Sequence, residues 1–308
     1  MRRVLTTVIA VTTLLLAGCA GDDEPAGTGP STTASSAAYP VTVGSLTLAQ
    51  RPERIISLTP SATEMLFAID AGPQVVAVDD QSTFPADAPK SELSGFKPNA
   101  EAIAAKNPDL VVLSNNLDKI VEQLTALKIP VLLTPAAADL SQTYAQIGQL
   151  GMLTGHQAEA GALTERMKTD IDKIVKSVPA RSAPLSYYYE LDPTLYSVTS
   201  KTFVGSIFAQ FTMTNIADAA DADGSKGGYP QLSAETLIQA DPDMIFLADS
   251  KCCAQSIDTV KARKGWADVT AVKTGQIVAL DDDIASRWGP RVVDLVQSIA
   301  DAVAKVPA

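Results

Sequence analysis

The hydrophobic pattern between residues 154 and 179 predicts one long helix. Apolar side chains recur there every three or four residues, and charged residues occupy the other faces. Thr154 has the residue type of a helix N-cap, with Gln157 three positions later, and Pro179 cannot continue a helix. At about 1.5 Å per residue, such a helix would be on the order of 33 Å long, the width of a small domain. We therefore expect a rigid helix that holds two lobes apart.

A repeated apolar pattern lies on either side of this helix. Residues 100–113 (AEAIAAKNPDLVVL) align without gaps with residues 234–247 (AETLIQADPDMIFL). Each copy predicts a short helix, a Pro-Asp turn and a continuously apolar strand of the kind buried in parallel sheets. The two copies could also be ordinary units of a single sheet. A matched unit of this length favours duplication of a small α/β motif.

Helix and strand patterns alternate on both sides of the long helix. This alternation is typical of a mostly parallel sheet covered by helices on both faces. The length of 308 residues also exceeds that of a usual single core. We therefore predict the α/β fold class, with one lobe over residues 39–153 and a second over residues 180–308.

In parallel α/β sheets, ligands bind beyond the carboxyl ends of the strands. The loops that follow the predicted strands are therefore the candidate ligand-binding loops. They are residues 59–63, 79–98, 114–117, 190–202, 224–231, 248–254 and 281–291.

The first 38 residues have the features of an export signal and a tether. Two arginines precede an apolar run over residues 4–16, and Leu-Ala-Gly-Cys follows, which resembles a bacterial lipoprotein signal. That resemblance implies removal of residues 1–18 and lipidation of Cys19. A transmembrane anchor is the alternative, but a run of about 13 residues is too short to cross a bilayer. Residues 19–38 then form a flexible tether, and the folded part works outside the cytoplasm.

The charge balance bears on which partners the chain can bind. The formal charge is −11 at pH 7, and loss of Arg2 and Arg3 with the leader makes it −13. Nucleic acids and anionic lipid surfaces attract clustered lysine and arginine, and the sequence has no such stripe. We therefore expect no nucleic-acid partner, and contact with the membrane through the lipid anchor only.

Aromatic and basic side chains are concentrated in the candidate loops, although aromatics make up only 5% of the chain. Such loops are suited to a large, partly apolar ligand with carboxylate or amide oxygens. The alternative is that each aromatic packs under its own loop and each cation is solvated. The candidates are Phe84, Phe96, Tyr196, Tyr229 and Trp288, with Tyr189 just inside a strand, and the cations Lys97, Lys201, Arg287 and Arg291.

The sequence offers little for catalysis. His156 is the only histidine, so neither a Ser-His-acid triad nor a histidine-rich metal site is available. The chain has no GxxxxGK[ST] or GxGxxG motif. A calcium loop centred on Gly224 would place Ala219 and Pro230 at ligand positions, which excludes it. We therefore expect a binding protein without a resident cofactor or metal.

Cys252 and Cys253 are adjacent. A trans peptide fixes their Cα atoms about 3.8 Å apart, which is below the usual range for a disulfide. A strained disulfide at the rim of the cleft, two free thiols, and a metal or redox role are all open for this pair.

The order of these motifs resembles the helical-backbone (class III) solute-binding proteins that supply ABC importers of cobalamin, ferric siderophores and haem. The resemblance covers residues 51–306 and includes RIISLTPSATEMLFAI, NPDLVVL, GGYPQLSAETL and WGPRVVDLV. It implies two Rossmann-like lobes, a ligand held between them, and delivery by a monomeric protein to a permease and its ATPase. A cleft hydrolase and a structural envelope lipoprotein are the alternatives.

The resemblance also implies a docking residue for the permease. Glu64 matches the family's acid in the opening helix of the first lobe, although Ser61 and Glu64 also have capping-box spacing. The corresponding helix of the second lobe, FVGSIFAQF, has no acid. Glu190 or Asp218 would have to replace the missing docking residue.

For the ligand, the resemblance places Tyr229 where cobalamin binders have an aromatic residue against the corrin ring. Phe84, Phe96 and residues 283–291 match ligand-lining segments. These residues do not separate a corrinoid from a siderophore or haem. Relatives that bind bare zinc or manganese use histidines as ligands, whereas His156 is the only histidine of this chain.

Overall fold

The structure, a computed structural model, describes residues 38–307. The predicted leader, Cys19 and most of the tether lie outside these residues. Among the described residues, no helix is both long enough and apolar enough to cross a membrane.

The first lobe is built on a five-stranded sheet preceded by a small antiparallel hairpin. Its elements are β1 (Val41–Val43), β2 (Leu46–Leu48), β3 (Ile55–Leu58), α1 (Pro60–Ala68), β4 (Val75–Asp79), β5 (Lys90–Leu93), α2 (Ala100–Ala104), β6 (Leu110–Leu113), α3 (Ile120–Ala126), β7 (Val131–Leu133) and α4 (Leu140–Thr154). The sheet order is β5-β4-β3-β6-β7, and all neighbouring strands are parallel.

The long helix α5 (Gln157–Ser177) leads to the second lobe. The elements of that lobe are β8 (Ser186–Glu190), α6 (Phe203–Ala209), β9 (Thr214–Asn215), α7 (Ala234–Ala240), β10 (Met244–Leu247), α8 (Ser250–Cys253), α9 (Ile257–Lys261), α10 (Thr270–Thr274), β11 (Ile277–Ala279), α11 (Asp282–Ala285) and α12 (Val292–Val303). The sheet order is β11-β10-β8-β9, again with parallel neighbours. Two separate parallel sheets joined by a long helix confirm the predicted α/β class.

The repeated sequence pattern has the same structure in both lobes. In the first copy α2 leads to β6, and in the second α7 leads to β10. Asp109 of the first Pro-Asp turn accepts hydrogen bonds from the backbone N–H groups of Glu53 and Arg54, at 2.8 and 2.9 Å. Asp243 of the second accepts from the N–H and hydroxyl of Ser186, both at 2.7 Å. Each aspartate therefore fixes the start of the strand beside its own.

One continuous apolar core includes residues of both sheets and of α4, α5 and α12. Strands β3, β6 and β10 are buried along their whole length because helices cover both faces of each sheet. Ala160, Leu163, Met167 and Ile171 form the buried face of α5. The long helix is thus part of a core that both lobes share.

The long helix begins later than the sequence predicts. Thr154 ends α4, and its hydroxyl donates to the carbonyl of Leu150 at 2.7 Å instead of capping α5. Gly155 follows with φ 79°, the left-handed conformation that terminates helices at glycine. Gly151 lets α4 and α5 pack closely, because a Cβ atom there would lie 2.5 Å from that of Ala160.

His156 has a structural role at this corner. Its Nε2 atom lies 2.7 Å from Arg51 Nη2 and 3.1 Å from Gln74 Oε1. Burial and the neighbouring guanidinium lower the pKa of His156, which favours the neutral imidazole. Arg51 also donates to the carbonyl of Thr154 at 2.8 Å, so the side chain ties the start of the first lobe to the junction of α4 and α5.

Candidate functional site

Large aromatic side chains are exposed at the carboxyl ends of both sheets. The exposed fractions are 46% for Phe84, 69% for Phe96, 41% for Tyr196 and 49% for Tyr229. Lys97 and Lys201 are also exposed. Apolar surface of this kind, on loops beyond parallel strands, is typical of a ligand-binding face.

Hydrogen bonds hold the backbone on either side of Tyr229. Residues 228–232 run antiparallel to residues 195–199, with hydrogen bonds from Ser197 N to Pro230 O at 2.9 Å and from Thr199 N to Gly228 O at 2.8 Å. The buried carboxylate of Asp221 accepts from Lys226 N and Gly228 N, each at 2.7 Å. The exposed ring of Tyr229 therefore projects from a fixed position.

Glu64 lies at the centre of a buried ion-pair cluster. Its side chain is only 1% exposed, and Oε1 accepts from Arg287 Nη1 at 3.0 Å and from Arg291 Nη2 at 2.6 Å. Glu64 belongs to α1 in the first lobe, whereas both arginines follow α11 of the second lobe. The cluster therefore bridges the two lobes.

The two arginines also contact the loop that follows β4. Arg287 donates to Gln81 O at 3.1 Å, to Thr83 Oγ1 at 3.2 Å and to Asp283 Oδ1 at 2.8 Å. The guanidinium of Arg291 lies 4.5 Å from the ring centroid of Phe84, a cation–π distance. A cavity of about 310 Å³ adjoins Glu64, Phe84 and Arg291.

These contacts bear on three sequence predictions: the capping box of Ser61 and Glu64, docking by Glu64, and ligand contact by Arg287 and Arg291. Glu64 is buried and paired with both arginines, so it is not exposed to a partner in this structure. The N-cap of α1 is Thr59, so Ser61 and Glu64 lie inside the helix and do not form a capping box. The side chains of Arg287 and Arg291 are 10% and 19% exposed and are held by Glu64 rather than free for a ligand. Burial of a carboxylate requires a charged partner, and these arginines provide it.

Trp288 is partly buried between the arginines. Its Nε1 atom donates to Gln146 Oε1 of α4 at 3.1 Å, and its backbone N–H donates to Ser61 Oγ of α1 at 3.3 Å. The segment after α11 is thus attached to two helices of the first lobe.

Tyr189, which the sequence analysis predicts to contact a ligand, is covered by the chain itself in this structure. Tyr189 is fully buried, its hydroxyl donates to Ala285 O at 2.9 Å, and its ring packs edge-on against Phe208. Residues on both faces of β8 are covered, so alternation along this strand does not bring a side chain to the ligand-binding face.

A second buried cluster lies at the carboxyl ends of β8 and β10. Glu190 is fully buried and accepts two hydrogen bonds from Arg263, at 2.5 and 2.6 Å. Asp249 is also fully buried, and neither of its carboxylate oxygens has a hydrogen-bond partner among the described residues. Burial, followed by the negative charge of Glu190, raises the pKa of Asp249 to about 7.

Neither proposed substitute for the second docking acid is freely exposed. Glu190 is fully buried and paired with Arg263. Asp218 is partly buried and accepts a hydrogen bond from Ser200 N at 2.7 Å.

Three further features lie outside these two clusters. Cys252 and Cys253 form a disulfide within α8. Within residues 38–307, no three histidine, cysteine, aspartate or glutamate side chains form a metal-binding group. A cavity of about 370 Å³ near residues 178–185, at the end of α5, contains none of the predicted ligand-binding residues.

Replacing Glu64 tests the interlobe cluster. Glu64→Ala removes the carboxylate that Arg287 and Arg291 share and leaves Arg287 only its pair with Asp283, so we expect the free energy of unfolding to fall by about 3 kcal/mol. Urea unfolding followed by circular dichroism measures this. The control is Glu165→Ala, which removes an exposed pair with Lys168 and should change the free energy by less than about 0.5 kcal/mol. Equal stability of the two variants would contradict the assignment.

Asp249 predicts a specific pH dependence of stability. Between about pH 4 and pH 7 the folded chain retains a proton that an unfolded aspartate has lost, so this group makes folding less favourable as pH rises. We expect Asp249→Asn to gain thermal stability over the natural chain as pH increases from 5 to 8.

The control for this measurement is Asp223→Asn. Asp223 is exposed, and hydrogen bonds from Ser225 lower its pKa, so its replacement should show no such increase between pH 5 and 8. A melting-temperature difference for Asp249→Asn that is constant with pH would contradict the prediction.

Comparison with known proteins adds an independent line of support. The sequence profile of the periplasmic binding protein family matches residues 55–284. A cobalamin-binding protein of Halobacterium salinarum is 30% identical over 307 residues, covering 96% of this chain and 82% of that protein. An ABC transporter substrate-binding lipoprotein of Bacillus subtilis is 29% identical over 280 residues, 86% of each chain.

A solved structure shows the same architecture. The crystal structure of a possible iron-binding, periplasmic solute-binding protein from Staphylococcus epidermidis superposes with a TM-score of 0.71 at 27% identity, over 83% of this chain and all of that one. The family profile covers most of the two-lobed structure. The chain therefore belongs to the periplasmic binding protein family.

Proposed function

We propose that this chain is the extracytoplasmic substrate-binding lipoprotein of an ABC importer and that it binds a corrinoid at the boundary of its two lobes. The observation that carries the proposal is the family match over residues 55–284, on a fold that exposes aromatic side chains at the carboxyl ends of both sheets. The protein captures and releases its ligand without chemical change.

A corrinoid is favoured over an iron complex for two reasons. The Halobacterium relative, at 30% identity, is named as cobalamin-binding. Tyr229 also presents an exposed ring from a fixed backbone, which suits stacking against a flat macrocycle. The Staphylococcus protein is described as possibly iron-binding, so a ferric siderophore or haem is the second candidate.

The proposed location is the outer face of the cytoplasmic membrane. The leader and Cys19 support it, as does the description of the Bacillus relative as a lipoprotein. Contact with the membrane would be through the lipid alone.

A hydrolase is the less favoured reading. A general base must be available to the substrate. The single histidine is instead engaged with Arg51 and Gln74 at the start of α5.

Because Glu64 is buried, docking to the permease needs other residues, and the repeat supplies a matched pair. Glu101 in the first turn of α2 and Glu235 in the first turn of α7 occupy equivalent positions in the two copies, and both are exposed. An acid there also suits the positive end of a helix, which is a purely local explanation. Equivalent acids on both lobes could contact arginines on two copies of a permease subunit.

Ligand titration tests the proposed binding function. We expect saturable binding of cyanocobalamin, followed by tryptophan fluorescence or calorimetry, with haemin and ferric siderophores as comparisons. Tyr229→Ala should weaken binding about tenfold, because an aromatic stacking surface is lost. Leu127→Ala is the control, since Leu127 is 51% exposed but lies between the C-terminal end of α3 and the start of β7, at the amino ends of the strands. If none of these ligands binds saturably, the proposal is refuted.

Docking is tested by reversing the charges of the matched acids. Glu101→Lys with Glu235→Lys should leave ligand affinity unchanged but reduce uptake in cells that contain the cognate permease, because like charges would then face each other. Glu53→Lys, an exposed acid just before β3, should leave uptake unchanged. Normal uptake by the double variant would exclude this docking surface.

A further inference from the structure

The short helix α8 carries the disulfide between Cys252 and Cys253 and lies just beyond the carboxyl end of β10. Strand β10 is an inner strand of its sheet. Ligands of parallel sheets bind at this end of the strands. Cys252 is exposed and Cys253 is half-buried, so the sulfur bridge is part of the surface at the candidate site.

A single carboxylate anchors the start of α8. Asp282 Oδ1 accepts from Ser250 N at 3.0 Å and from Ser250 Oγ at 2.8 Å, and Oδ2 accepts from the N–H groups of Lys251 and Cys252 at 2.9 Å each. Lys251 Nζ is held in turn by Asp281 at 2.8 Å. The first turn of the helix therefore has little freedom.

The end of α8 is anchored as well. Cys253 N and Gln255 N donate to the carbonyl of Asp249, at 3.2 and 3.3 Å. The side chain of Gln255 accepts from Arg263 at 2.7 Å, and Arg263 is the partner of the buried Glu190. The segment is thus connected to the interior at both ends.

This anchoring does not serve the hydrophobic core, because α8 has no buried side chain. A helix of four residues is too short to be stable alone, and ordering an exposed segment costs conformational entropy. Fixing an exposed surface in advance is instead what lowers the entropic cost of binding a ligand.

A hydrogen-bond chain places α8 next to the first lobe. Asp283 Oδ2 lies 3.3 Å from Lys251 Nζ and 3.3 Å from Thr83 Oγ1 of the first lobe. Phe84, the next residue, is 46% exposed. The sulfur bridge and an exposed aromatic ring therefore lie on segments joined at the boundary between the lobes.

We propose that the Cys252–Cys253 disulfide is a ligand-contact surface at the lobe boundary, packed against the flat face of a conjugated macrocycle. A disulfide has no strong hydrogen-bond donor, and its polarisable sulfur atoms make favourable contacts with π systems. Lys251 and the aspartates beside it would meet polar groups at the edge of the ring. This inference rests on the proposed function and assigns one wall of the binding site.

The test compares the full-length mature protein with two double variants, C252A/C253A and C252S/C253S, by calorimetric titration with cyanocobalamin and haemin. Both variants remove the bridge, and the serine pair also makes the surface polar. We expect affinity for the macrocycles to fall about three- to tenfold, more for serine than for alanine. Affinity for ferrioxamine, which has no flat conjugated ring, should not fall more in the serine variant than in the alanine variant.

A second measurement does not depend on how the variants fold. Saturating cyanocobalamin should slow reduction of the natural disulfide by a phosphine severalfold, because the bound ring covers the sulfur atoms. Natural protein that has been reduced and alkylated with iodoacetamide should bind cyanocobalamin more weakly, since the added groups occupy the contact surface. Thermal unfolding of each sample shows whether the fold is retained.

The outcomes are distinct. Unchanged affinity in both double variants, together with no protection from the phosphine, would overturn the disulfide assignment and leave the proposed function intact. Equal losses for macrocycles and ferrioxamine would show a purely structural bridge and also overturn it. Natural protein that binds neither cyanocobalamin nor haemin would overturn the corrinoid proposal and this inference together.

Discussion

The geometry of the candidate ligand-binding face depends on one buried carboxylate. Glu64 of α1 forms ion pairs with Arg287 and Arg291, which follow α11 of the second lobe. Arg287 also donates hydrogen bonds to Gln81, Thr83 and Asp283. A buried charge without a partner is costly, so moving the arginines away from Glu64 is energetically unfavourable. The position of Phe84 relative to the second lobe follows from this cluster, because Arg291 stacks on its ring.

The fold was largely predictable because its signals are local. Continuous apolar strands, Pro-Asp turns and the periodicity of residues 154–179 each depend on neighbours within a few positions, and the duplicated unit appears in both lobes. The start of the long helix was misplaced because Gly155 breaks the chain into two helices, and the pattern of apolar residues continues across the break.

The site was less predictable because its contacts join residues far apart in sequence. Glu64 and Arg291 are 227 positions apart, and capping-box spacing gave Glu64 a local explanation that the structure does not bear out. The burial of Tyr189 was missed for a related reason, since whether a strand is covered on one face or both depends on helices elsewhere in the chain. The exposed positions of Phe84, Phe96 and Tyr229 agree with the expectation for loops beyond parallel strands.

The shared core also limits how the protein can move. Because α4, α5 and α12 pack into one apolar cluster with both sheets, swinging the lobes widely apart would expose part of that cluster to water. The ligand-bound and ligand-free forms should then differ mainly in the loops. A partner that distinguishes the two forms must contact the ligand itself or the loops around it. If the lobes cannot open widely, release of a tightly bound ligand would require energy supplied by another protein.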